Sequence, residues 1–270
     1  MRTADYHLLL PEEPKALLIL FPGFGGDAAD TKSESKITDE ALASHVAVML
    51  MNFNRRLFLS TTETKDLLDT IAGAMARNDL GDEPVFIGGF SSGGNISTLL
   101  AQALVADPTD GIHLAGLFVV DSPLDLSQLY RIWKKHAEHS LVPVSKEESA
   151  MVIALLDSTL GNPVDSAANY EAFSPVTTSE VSIAPLKDLP IRLYTEPDTA
   201  WWRINRGDSY EDMNAYYLEK LHTQLIAAGN TRAEFITTQN RGIQHGHRHP
   251  HAWSIVDEKE LVHWILTTKD

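Results

Sequence analysis

Gly89-Phe90-Ser91-Ser92-Gly93 sets a serine between two glycines in the pattern G-x-S-x-G, a spacing suited to a nucleophile. A serine on so tight a turn leaves no room for β-carbons two residues to either side, and a strained backbone pushes its hydroxyl towards substrate. Gly89 and Gly93 supply that room. Ser92 competes for the role, but the residue two before it is Phe90, so Ser91 is the expected nucleophile. A serine needs a base, and histidines stand at positions 245, 247, 249 and 251. An imidazole titrating near neutrality can take a proton and return it. Fully extended, this H-x-H-x-H-x-H run would put its rings on one face, as a metal site could. Pro250 interrupts it and no clear carboxylate partner stands nearby, so a solvated loop with one working histidine, and no metal, is expected.

These groups need elements to hold them. Short apolar, β-branched runs predict seven strands: Tyr6 to Leu10, Ala16 to Phe21, His45 to Met51, Pro84 to Gly88, Gly116 to Val120, Ile191 to Thr195 and Ala233 to Thr238. Between the third and fourth, Thr62-Glu63-Thr64-Lys65 offers a Thr cap to a helix whose face is Leu67, Leu68, Ile71 and Met75. Ile96, Leu99, Leu100, Ala103 and Leu104 predict a helix just after Ser91, and Ile255 to Leu266 a closing helix. Strands alternating with helices give an α/β fold, a mostly parallel sheet flanked by helices. Residues 124–189 carry no strong strand pattern; Leu129 to Trp133 and Met151 to Leu156 read as helices of a cap-like insertion within a single domain, 1–270.

The strand, sharp turn and helix around Ser91 resemble the nucleophile turn of the α/β-hydrolase superfamily, and the resemblance spans nearly the whole chain. It implies an eight-stranded sheet, from which the first edge strand is missing here, and a triad ordered serine, acid, histidine. It implies an acid in the loop after Ile191 to Thr195, where Asp198 matches best; Glu196 competes, and Asp121 is a third candidate because some members place the acid one strand earlier. It implies a base between the last strand and last helix, with His251 first and His249 second. The glycine-rich Pro22-Gly23-Phe24-Gly25-Gly26-Asp27 turn falls where the family places an oxyanion donor, so the N–H of Phe24 or Gly25 would join that of Ser92. The same loop matches neither phosphate-binding glycine pattern. Trp201 and Trp202 beside the proposed acid, with Tyr130, Trp133 and Met151 of the insertion, are expected to wall an apolar substrate pocket.

Three functions follow. The first is a carboxylic-ester hydrolase acting through an acyl-Ser91 intermediate on a small-molecule ester or acyl substrate. The second is a peptidase-like or acyl-transfer enzyme with the same triad, and the third a ligand-binding member without turnover. No cofactor is expected. The chain lacks cysteine, which removes thiol nucleophiles, disulfides and thiolate zinc sites. A formal net charge of -15 repels polyanions, so nucleic acid and anionic membrane surfaces are poor partners. The opening Met1-Arg2-Thr3-Ala4-Asp5 lacks an apolar leader, and no apolar run reaches the roughly 18 residues of a membrane span. Those features predict a cytoplasmic protein, or a secreted or periplasmic one if a signal peptide has been removed. Substrate identity and oligomeric state are not legible.

Overall fold

Each apolar run expected to be a strand is one. The computed structural model describes residues 1–108, 111–139, 143–177 and 183–268. Its large sheet comprises β1 (Tyr6–Leu9), β2 (Ala16–Phe21), β3 (Val46–Met51), β4 (Val85–Phe90), β5 (Leu114–Val120), β6 (Ile191–Thr195) and β7 (Ala233–Thr237). The spatial order is β1-β3-β2-β4-β5-β6-β7; β1 runs antiparallel to β3 and all other neighbours are parallel. Around it lie α1 (Ala28–Glu34), α2 (Ile37–Ala43), α3 (Thr61–Arg77), α4 (Ser92–Ala106), α5 (Leu126–His139), α6 (Pro143–Thr159), α7 (Ala167–Phe173), α8 (Thr199–Arg206), α9 (Asn214–Ala227) and α10 (Glu258–Thr267).

Burial on both faces explains why the central strands are apolar without interruption. Leu17, Ile19 and Phe21 of β2 pack with Leu67 and Ile71 of α3 and Ile96 and Leu100 of α4. Their neighbours Leu18 and Leu20 point the other way, towards Ile37 of α2 and Leu261 and Ile265 of α10. The cap of α3 is Ser60 rather than Thr62. Ser60 Oγ accepts the Glu63 N–H at 3.2 Å while Glu63 Oε2 accepts the Ser60 N–H at 3.0 Å, a reciprocal capping box. The closing helix also starts later than expected, at Glu258, with Asp257 as its cap; residues 253–255 form a separate 3-10 turn.

The helices α5, α6 and α7 have a small core of their own, in which Leu126, Leu129, Tyr130, Val152, Leu156 and Tyr170 pack together with Leu57. Asn95 joins this layer to the sheet. From inside α4 its buried amide donates to the carbonyls of Leu57 and Pro123, both at 3.0 Å. Among the described residues no helix is long and apolar enough to cross a membrane.

Candidate active site

Strand β4 stops because its last carbonyls give way to a residue in the left-handed region. Ser91 has φ 54° and ψ −125°, and its N–H is held by the Val120 carbonyl of β5 at 2.9 Å. A non-glycine residue there carries strain on the order of 1–3 kcal/mol. The flanking glycines are required sterically. A β-carbon on Gly89 would lie 2.1 Å from the Gly93 carbonyl oxygen, and one on Gly93 would lie 2.4 Å from both the Phe21 and Pro22 oxygens. The turn therefore fixes Ser91 at the start of α4, at the carboxyl end of the sheet.

Ser91 lines a cavity of about 630 Å³ together with His251. The Ser91 hydroxyl makes no hydrogen bond to the imidazole, a contact that in such sites often tightens only when substrate is bound. The other imidazole nitrogen is firmly held: His251 Nδ1 lies 2.6 Å from Asp121 Oδ2. Asp121 is buried, at 5% exposure, and its second oxygen accepts the Thr195 hydroxyl at 2.7 Å. Its backbone is fixed as well, the N–H by the Tyr194 carbonyl and the carbonyl by the Asn214 amide, both at 2.8 Å. That leaves Nε2 of His251 as the nitrogen available to the cavity.

The expected acid, Asp198, does not meet His251. Its carboxylate caps α8 by accepting the Trp201 N–H at 2.9 Å, and it pairs with Arg248 at 2.7 Å. Glu196, the second candidate, is buried and also committed. It accepts the Thr238 hydroxyl (3.0 Å) and the N–H groups of Arg241 (2.9 Å) and Gly242 (3.0 Å), and it contacts the Arg248 guanidinium. Both carboxylates thus clip the histidine-bearing loop to the ends of β6 and β7, and Asp121 at the end of β5 faces the imidazole.

That loop is not one extended strand. Ile243–Gln244 (β8) and His247–Arg248 (β9) form a two-residue hairpin, turning through His245 (φ 48°) and Gly246 (φ 79°). The turn breaks the alternation that would have aligned the rings, and among the described residues no group of three or more His, Asp or Glu could hold a metal. His251 reaches the site well before the closing helix begins, not at its head.

His249, the alternative base, has no carboxylate partner among the described residues. Its ring packs at 4.6 Å from Trp201, and its Nδ1 accepts the His251 N–H at 3.2 Å. Burial, with positive charge on His251 and Arg206, pushes its pKa down to about 4. The unfolded chain binds a proton here near pH 6.5 and the folded chain does not, so stability present above pH 6.5 is lost as pH falls towards 4. Thermal midpoints of the wild type should drop across this window more steeply than those of His249→Gln.

The backbone N–H groups of Phe24 and Gly25 have no acceptor among the described residues, since the loop closes through Gly26 N–H to the Gly23 carbonyl at 3.0 Å. Ser92 opens α4, where an N–H has no intrahelical acceptor. All three residues line the cavity beside Ser91. Of the expected pocket aromatics, Trp202 and Trp133 are in the wall with Met151. Trp201 instead packs behind, 5.2 Å from Trp202, and Tyr130 belongs to the core beneath α5, 6.1 Å from Tyr170.

No family model and no curated protein matches the sequence. Solved structures do resemble it. An esterase from the hyperthermophilic archaeon Pyrobaculum calidifontis superposes with a TM-score of 0.61 at 16% identity, covering 97% of this chain and 78% of its own. A bacterial esterase of the hormone-sensitive lipase family gives 0.59 at 15%, covering 97% and 80%. The fold is that of the α/β-hydrolases. The fluorophosphonate-binding serine hydrolase FphF of Staphylococcus aureus gives 0.51 at 13%, covering 97% and 92%. Within this fold, Arg248 and Asn95 are the site-supporting residues that sequence reasoning missed. Neither lies in a motif, and each is recognisable only by the segments it joins.

Proposed function

We propose that the chain is a serine hydrolase that cleaves a carboxylic ester, with Ser91 as nucleophile, His251 as base and Asp121 as orienting acid. The observation that carries this is the 2.6 Å contact of Asp121 with His251 Nδ1, on an imidazole sharing one cavity with a serine in strained left-handed backbone. Asp121 fixes the tautomer, so Nε2 accepts the Ser91 proton as Oγ attacks the ester carbonyl carbon. The N–H groups of Ser92 and of Phe24 or Gly25 receive the oxyanion of the tetrahedral intermediate. On collapse the ester C–O bond breaks and the alcohol leaves with the proton from His251. Water then attacks the acyl carbon, giving a proton to His251; as this second intermediate collapses the acyl C–Oγ bond breaks, Ser91 Oγ takes that proton from His251, and the carboxylic acid leaves. Helices α5 and α6 act as a cap, placing Trp133 and Met151 over the substrate. Two structurally similar proteins are esterases, which supports this reading.

A fluorophosphonate probe tests it directly. The folded protein should gain a single adduct that peptide mapping places on Ser91; folded protein that stays unlabelled would overturn the assignment.

A further inference from the structure

Arginines on the surface of an acidic protein are unremarkable, but three here are withdrawn from full solvent exposure: Arg192, Arg206 and Arg248. Two of them are neutralised twice over. Arg192 pairs with Glu234 at 3.2 Å and Glu260 at 2.5 Å, and Arg248 pairs with both Glu196 and Asp198. Arg206 pairs with no carboxylate and donates no hydrogen bond among the described residues, although the chain has 37 acidic residues against 22 basic ones. It lies in the wall of the cavity that holds Ser91 and His251.

The acids of that wall are already spoken for. Asp208 is held by His136 at 2.8 Å and Lys135 at 3.3 Å, and Asp212 by Lys135 at 2.7 Å and Arg131 at 3.2 Å. Asp30 accepts the Asp27 N–H at 3.0 Å, and Glu34 faces His245 at 3.5 Å. Among the described residues Asp30, held only by that backbone N–H, and the exposed Glu148 of α6 have no cationic partner, and neither pairs with Arg206 or with the second unpaired guanidinium of the wall, Arg55. Arg206 is set at the end of α8, which is capped by Asp198 at its start and by Gly207 in left-handed backbone (φ 75°) at its end. Its charge reaches the catalytic loop, since it disfavours protonation of His249. A half-buried guanidinium without an anion has lost hydration with only the α8 dipole to offset it, and its planar fork matches a carboxylate.

We infer that the substrate is an ester carrying a carboxylate, and that Arg206 is the specificity-determining residue that receives it. This rests on the hydrolase reading above and names the class of ester. The carboxylate sits on the acyl or on the alcohol side, and two matched pairs of probes cover both: mono-4-nitrophenyl adipate against 4-nitrophenyl hexanoate, and 4-acetoxybenzoate against 4-acetoxybenzamide. In at least one pair kcat/KM should favour the charged ester by about tenfold or more, mainly through KM, and the preference should shrink in high salt. Arg206→Gln should bring that ratio to about 1, with Arg206→Lys intermediate, because a point charge keeps attraction and loses the fork. A neutral ester favoured or equal in both pairs, or a preference that survives Arg206→Gln, overturns the inference; the latter result would leave Arg206 as a complement to the α8 dipole. Where turnover is too slow to read, the same pairs compete for fluorophosphonate labelling of Ser91, and equal competition overturns it too. Failure of the hydrolase reading looks different, because Ser91 would then not label at all.

Discussion

Ser91→Ala is expected to lower kcat on an activated ester by about 10⁵- to 10⁶-fold, the size of effect seen when a triad nucleophile is removed. What remains is the contribution of binding and of the N–H groups near Phe24, Gly25 and Ser92, which the substitution does not touch. Ser92→Ala provides the contrast. Its side chain is buried at the head of α4, and its backbone N–H survives the change, so kcat should stay within about tenfold of wild type. Ser91→Gly separates chemistry from strain. Alanine inherits the unfavourable φ of 54°, whereas glycine adopts it freely, so Ser91→Gly should be as inactive as Ser91→Ala and melt higher. Steady-state kinetics and thermal melts on the three variants check this. A Ser91→Gly melt no higher than wild type would mean that the turn stores no strain.

The sheet was legible because its signal is local. Strands buried on both faces must be apolar throughout, and runs such as Ala16-Leu17-Leu18-Ile19-Leu20-Phe21 have little else to be. The turn that carries Ser91 was legible largely for the same reason, since the clash that forbids a side chain at residue 89 is with Gly93 of the same turn; the clash at residue 93 is with the distant Phe21 and Pro22 carbonyls. The acid was not. Strands β5 and β6 are neighbours, and each ends in a carboxylate-bearing turn, Asp121-Ser122-Pro123 and Glu196-Pro197-Asp198. Which one meets the imidazole depends on where a loop more than fifty residues further on crosses the sheet edge. Arg248 resolves it by engaging Glu196 and Asp198 together, and one arginine in a polar loop announces no such role. The hairpin of β8 and β9 escaped because two-residue strands show no periodicity, although His245-Gly246 is a turn-compatible pair. The Ser60 cap was there to be read, as Ser60-Thr61-Thr62-Glu63 fits the capping box better than the threonines inside it.

Asp121→Asn is expected to lower kcat by about 10⁴-fold, roughly 5.5 kcal/mol of transition-state stabilisation, while leaving KM nearly unchanged. The argument is one of tautomers. Asparagine keeps the size of the side chain and can keep the 2.7 Å contact with the Thr195 hydroxyl, so the fold has little reason to respond. At the 2.6 Å contact, however, an amide that presents its NH₂ to Nδ1 turns it into an acceptor and places the ring proton on Nε2, where a base is needed. It also removes the negative charge that stabilises the imidazolium formed as Ser91 is deprotonated. Asp198→Asn is the decisive comparison, because asparagine still caps α8 and loses only its charge against Arg248. Glu196 retains that arginine, so the loop should hold and kcat should fall by no more than about tenfold. If the two results were exchanged, with Asp198→Asn inactive and Asp121→Asn active, His251 would have to swing from β5 to the loop after β6 during turnover, and the acid would be Asp198 after all.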